Sequence, residues 1–384
     1  MNPSLALLPC AYDTGKLYSV LPEDGTGDFT VLRNGTGTYL GKDGLLKTAQ
    51  ANEPRLEFNP DGTFKGVLVE PASTNLLIRS EEFENASWVK SSGLLITPNS
   101  LISPNGTLTA DTFTPVASAG SSVSRTLTSP IGLITMSVWA KVASGTKQFR
   151  FFRFNGIDSL VSSGAFVATT IWQRFTWTTS PTVSDSTWYI SNFTAESSEM
   201  FIWGAQLEVG SVATSYIPTV ASQVTRPADV ITRTGIADLI GQTDGTLYIE
   251  GFIPKIASAF VIGMSLGSSL EEAIYLQVQS NFILQALIRS AGNIGTLSVL
   301  ASNWNAGFNK IAITYGLGSN NAVLSINGII ASTGTVISIP NCDKITLGSR
   351  IDQPGTLSLN GSIKSTTIFK TRLSNAQLQA LTTL

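Results

Sequence analysis

The stretch FIWGAQLEVGSVATSYIPT, residues 201–219, decides how the chain is read, because one acid, Glu208, stands in it among aromatic and aliphatic side chains. In steps of two, Phe201, Trp203, Ala205, Leu207 and Val209 point one way and Ile202, Gly204, Gln206 and Glu208 the other, which is the pattern of a half-buried β-strand. Gly210 and Ser211 break the pattern, and Pro218 lacks the N–H that further pairing in mid-sheet needs. Glu208 shares its face with Gln206, so the pair reads as a hydrogen-bonded structural device or a rim position before it reads as a catalyst. The expectation is that this strand closes a fold.

Strand patterns of the same kind recur on either side of it. Between Phe83 and Pro227 they include ITMSVWAK, KQFRFFRF, IWQRFTWTT and STWYISNF, separated by linkers of Ser, Thr, Gly and Pro. Six of the seven tryptophans fall in this segment, enough large side chains to fill a sandwich between two sheets. Residues 1–79 are dense in turn signals, DGTGD, NGTG, KDG and NPDGT, with short apolar runs between them, so alone they have little core. After VTRPADVITRTG, TLYIEGFI opens a third segment, and Asn327-Gly328 between two apolar runs predicts a hairpin. In RLSNAQLQALTTL, Ser374 and Gln377 have capping-box spacing and Leu373 can staple to Leu378, which predicts one short helix at the carboxyl end.

Size and composition agree. For 384 residues, roughly two to three domains are expected. Charged residues are 13% of the chain, about half the usual share, and with 34 glycines this favours turns and strands over surface helices. A net charge of -2, with no Lys/Arg cluster, offers no field for phosphate, so nucleic acid is not an expected partner. The amino terminus carries no basic residue before Lys16 and fails as a signal peptide, and no run approaches the ~18 apolar residues of a membrane helix, so membrane insertion is not expected. Cys10 and Cys342 read as free thiols. The absence of histidine removes Ser-His-Asp and Cys-His catalysis and His-based zinc sites.

The opening stretch, LVEPASTNLLIRSEEFENASWVK at 68–90 and WQRFTWT at 172–178 together resemble a bacteriophage or prophage structural protein type with a carbohydrate-binding-module-like jelly roll in its middle. NKIAITYG, LSINGII, ITLGSR and LNGSIKSTTIFKTRLSNAQLQALTTL are similar to the concanavalin A-like, or laminin-G-like, domain that often follows it. The resemblance covers nearly the whole chain after about residue 28. It implies an all-β protein of three parts: an attachment or oligomerisation region at 1–79, a jelly roll at 80–228, and a laminin-G-like sandwich at 234–384, with the 227–236 linker open to proteases. It further implies a virion tail or fibre protein, often a homotrimer, whose partners are other virion proteins and host cell-surface polysaccharide. A purely structural virion protein and a glycan depolymerase are the other readings. Concanavalin-like glucanases place their acids as Glu-x-Asp-x-x-Glu, and no Glu here is followed two residues later by Asp, so no catalytic residue is assigned.

Jelly-roll modules of this type often carry a structural calcium ion, and Asp24 and Asp28 in EDGTGD have loosely ligand-like spacing, but Asp-Gly is ordinary turn chemistry and no metal ligand is assigned. For glycan binding, KQFRFFRFNG matters most. Alternation puts Arg150, Phe152 and Phe154 on one face and Phe149, Phe151 and Arg153 on the other, and one of the two must be core. The expected site is Arg150, Phe152, Phe154 and Trp188, a stacking platform with a hydrogen-bonding fork. The Phe149 set stays open as the alternative. Trp139, Trp172 and Trp203 read as core, and Trp304 in SNWNAG as an exposed candidate.

Overall fold

In the computed structural model, which describes residues 2–117, 120–128, 130–155, 160–256, 258–300 and 303–384, the opening stretch supplies the middle strand of a sheet. That sheet runs in the order Leu95–Ile102, Leu108–Thr114, Met200–Val209, Ile134–Lys141, Gln173–Thr179, all antiparallel. A second antiparallel sheet runs Val89–Lys90, Ser122–Thr128, Asp185–Asn192, Lys147–Phe154, Val161–Ser162, with Phe166–Ala168 also on Lys147–Phe154. From Ser122 onward the chain passes repeatedly from one sheet to the other, the winding of a jelly roll. The two sheets enclose one core. Val123, Phe149, Phe151, Trp188 and Ile190 come from the second sheet, and Phe113, Ile134, Met136, Val138, Ile202 and Leu207 from the first.

The strand does not keep the strict alternation expected of it. Ser137 pairs with Gln206 but Trp139 with Trp203, so one extra residue is accommodated on the 200–209 strand, a β-bulge at Gly204, which sits at φ +66°. The bulge exchanges the faces. Met200 and Ile202 point into the core before it and Ala205 and Leu207 after it, while Trp203 joins Ala110 and Tyr216 in a second cluster on the opposite side. The strand is therefore covered on both faces, and the segment that follows it folds back as the cover, with Tyr216 and Ile217 buried. These elements belong to one compact unit, Leu45–Lys47 with Ser73–Arg226, here called the middle sandwich.

The other unit, the composite sandwich, draws on both ends of the chain: Met1–Gly44, Thr48–Ala72 and Pro227–Leu384. Residues 2–72 do not stand apart as the separate region expected of 1–79. Leu5–Leu7 and Phe64–Val69 both pair with Gly361–Phe369, and Phe29–Leu32 pairs with Val230–Thr234. The partner strands supply the core that the turn-rich segment lacks. The 227–236 linker is likewise corrected, because Val230–Thr234 lies between Phe29–Leu32 and Lys344–Leu347 and bonds to both. Beside it, Asp229 meets Arg33 and Arg55 in a buried cluster, and Arg55 also pairs with Glu70 at 2.6 Å.

Eight strands form one sheet of this unit and nine the other. The hairpin at Asn327-Gly328 has both residues at positive φ, 49° and 83°, joining Gly318–Ile326 to Ile329–Val336. The helix Asn375–Thr382 carries the full capping box of Ser374 and Gln377, and Leu373 and Leu378 share a buried cluster with Tyr248 and Phe369. Both cysteines are free, Cys10 exposed and Cys342 buried. No helix among the described residues is long and apolar enough to cross a membrane.

Candidate functional site

In an antiparallel pair, residues directly opposite one another share a face. Phe149 and Phe151 are wholly buried in the core of the middle sandwich, which leaves Arg150, Phe152 and Phe154 on the outer face of the second sheet. Opposite them on Asp185–Asn192 stand Ser191, Tyr189 and Thr187, and beyond those, on Ser122–Thr128, Ser122, Ser124 and Thr126. Phe152 and Tyr189 stack with ring centroids 4.1 Å apart and planes 9° from parallel. The Arg150 guanidinium lies 5.4 Å from the Phe152 ring and 5.6 Å from that of Phe193. Its Nε has no hydrogen-bond partner among the described residues. Thr126 and Thr187 share a hydroxyl hydrogen bond at 2.7 Å. The face thus combines aromatic rings, one guanidinium and the hydroxyls of Thr126 and Thr187, while Ser122, Ser124 and Ser191 are buried.

Of the four expected site residues, three share this face and the fourth does not. Phe154 is open to solvent, 42% exposed, and Arg150 is half-buried. Phe152, at 8%, is the inner layer of the stack and offers little surface of its own. Trp188 is corrected to core: it is 0% exposed and packs edge-on against Trp177 at 6.1 Å. Lying directly before Tyr189 in the strand, it must point the opposite way. Arg153 shares the core side with Trp188, opposite it in the register, and is 4% exposed. Trp304, expected at the surface, is 3% exposed and donates from Nε1 to the Phe282 carbonyl at 3.0 Å. Tyr189 and Phe193 were not singled out from sequence. The signal was present in STWYISNF, but using it required knowing which face of that strand is core.

Glu208 is engaged in structure. Its Oε2 accepts from Gln206 Nε2 at 2.6 Å, Thr214 Oγ1 at 2.9 Å and Ser73 Oγ at 3.0 Å, and its Oε1 accepts from the Thr214 backbone N–H. Burial raises its carboxyl above the ordinary range, while Arg174 and the Thr214 and Ser73 hydrogen bonds act in the opposite direction. Arg174 holds the same loop through the Thr214 carbonyl at 2.6 Å, and Gln206 Oε1 accepts from Ile217 N at 2.7 Å. The acid therefore ties the covering segment to its strand. Asp24 accepts from Thr26 two residues on, which is turn chemistry, and Asp28 is held by Ser19 and by an ion pair with Lys16. Among the described residues no group of three or more His, Cys, Asp or Glu is placed to hold a metal ion.

No protein family and no curated protein matches the chain. Among solved structures, part of it is similar to the CBM40 module of the Ruminococcus gnavus IT-sialidase, at 18% identity and a TM-score of 0.33, over 38% of this chain and 86% of the module. The CBM22-1 xylan-binding domain of Paenibacillus barcinonensis Xyn10C is similar at 13% identity and a TM-score of 0.29, over 39% of this chain and 98% of that domain. A leech intramolecular trans-sialidase is similar at 16% identity and a TM-score of 0.31, over 37% of this chain and 23% of the enzyme.

Proposed function

We propose that the chain is a non-enzymatic glycan-binding protein, a component of a phage tail or fibre that adheres to host-surface polysaccharide through the middle sandwich. The observation that carries the reading is the outer sheet face bearing Arg150, Phe154, Tyr189 and Phe193. A sugar ring presents an apolar C–H face and a rim of hydroxyls. Aromatic rings suit the first, and a half-buried guanidinium on the same face as the Thr126 and Thr187 hydroxyls suits the second. Charged side chains are costly to bury without a partner, and this one, half-buried, stands over the Phe152 and Phe193 rings on the outer face of the sheet. The virion role, association as a homotrimer and the other virion proteins as partners are supported by the resemblance of the 68–90, 172–178 and 201–219 phrases.

A glycan array probed with the full-length labelled chain tests the binding. Saturable signal on a defined set of glycans is expected, and an array with no saturable signal returns the chain to a purely structural virion role. Incubation with host polysaccharide is expected to release no sugar. Release abolished by a single Asp or Glu substitution would identify a depolymerase instead. Sedimentation at micromolar concentration is expected to give a trimer, and a monomer would contradict the assembly.

A further inference from the structure

The composite sandwich holds a cavity of about 390 Å3 on the outer face of its nine-stranded sheet, lined by Phe260, Tyr275, Gln277, Gln279, Arg350 and Leu357 among others. The volume falls within the roughly 300–1,000 Å3 of small-molecule sites. Its apolar wall is built: the Phe260 and Tyr275 rings stack with centroids 5.2 Å apart and planes at 29°, backed by Ile351 and Leu270. The amides are fixed as well. Gln277 and Gln279 each donate from Nε2 to Gln285 Oε1, at 3.1 and 2.6 Å, and Gln285 is braced by Ser298 at 3.3 Å. That arrangement leaves the carbonyl oxygens of Gln277 and Gln279 as acceptors beside the cavity.

The charge around this cavity is balanced. Arg350 is clamped by both oxygens of Asp352, at 2.6 and 3.0 Å, and Arg289 is held by Glu271 at 2.6 Å. Neither cation is in excess, so a carboxylate or phosphate ligand would meet an acid beside every guanidinium. An aromatic wall, fixed amides and no net charge together suit an uncharged ring that is apolar on one face and hydroxylated at its edge. We infer that this cavity is a second saccharide site, taking a neutral pyranose. It belongs to a different unit from the Arg150 face and stands or falls without it.

Saturation-transfer NMR on the full chain tests the site, with the methyl pyranosides of glucose, galactose and mannose as probes and methyl glucuronide as the charged comparison. The measurements use an Arg150→Gln/Phe154→Ala background, so that the first face contributes nothing. Transfer to at least one neutral glycoside is expected at millimolar concentration. Gln277→Leu/Gln279→Leu is expected to weaken it at least tenfold with the fold retained. Should that variant fail to fold, Ser280→Trp at the exposed rim obstructs the cavity and carries the same expectation. Absence of transfer to all three neutral probes, transfer unchanged in the cavity variants, or preference for the glucuronide would each overturn the inference.

Discussion

Gly204→Ala should destabilise the middle sandwich well beyond the ordinary cost of a glycine substitution. Gly204 sits at φ +66°, where an L-residue costs about 1–2 kcal/mol. A Cβ there would also lie 3.1 Å from Trp139 Cδ1 and 3.3 Å from Tyr216 Cε2, rings packed in the cluster around Trp203. Overpacking of that kind adds about 1–3 kcal/mol, for a total of about 2–5 kcal/mol. Relief by removing the bulge is closed off, since restored alternation would turn either Ala205 and Leu207 or Met200 and Ile202 out of the core. Gly145→Ala is the matched control, at φ +67° with nothing within 4 Å of its would-be Cβ, and it should show the backbone cost alone. Urea unfolding followed by tryptophan fluorescence reports this unit, because six of the seven tryptophans lie between Phe83 and Pro227. If the two alanine variants lose the same stability, the bulge and its packing do not govern the strand as argued.

Further outcomes are expected at other positions. Trp188→Ala should cost about 3–5 kcal/mol, as a deleted core aromatic does, while Phe154→Ala should stay within about 0.5 kcal/mol; similar losses in the urea titration would reverse the assignment of faces. Arg55→Ala, which removes the guanidinium that bridges Asp229 and Glu70 in the buried cluster, should cost about 3–5 kcal/mol by calorimetry of the composite sandwich, and a change under 1 kcal/mol would show the cluster to be relaxed or hydrated. Burial pushes the Asp111 carboxyl up to about 7 against hydrogen bonds from the Asn99 and Phe83 backbone. The fold thus keeps a proton that the unfolded chain, with its carboxyl near ~3.9, has released, so this stabilisation is full below about pH 4 and is lost as pH rises through about 7. Urea midpoints of the middle sandwich should therefore fall between pH 5 and pH 7.5, and Asp111→Asn should flatten the slope; a slope unchanged in that variant would remove Asp111 as its source.

Features set by neighbours in sequence were legible before the structure. Asn327-Gly328 needs only two residues at positive φ, and the Ser374–Gln377 box closes within one turn of helix. Gln206 and Glu208 were legible as a bonded pair because they lie two apart on one strand beyond the bulge. The bulge was not, since Gly204 occupies a position that strict alternation also allows, and the extra residue shows only against Ser137 and Trp139 of the partner strand. Long-range pairing was equally hidden. Nothing local in Leu5–Leu7 or Phe29–Leu32 names strands more than 190 residues away as their partners. The site was legible by halves: KQFRFFRF showed two alternating sets, but which set faces solvent depends on the opposing sheet, and the same ambiguity sent attention to Trp188 in place of Tyr189.

The central claim is that the outer face bearing Arg150 and Phe154 binds glycan. A binding isotherm for the strongest array glycan, measured on the full-length chain and on Arg150→Gln/Phe154→Ala, tests it most directly. The account predicts at least a tenfold loss of affinity, about 1.4 kcal/mol, with unfolding of the middle sandwich unchanged. An isotherm that the double substitution leaves where it was would contradict it.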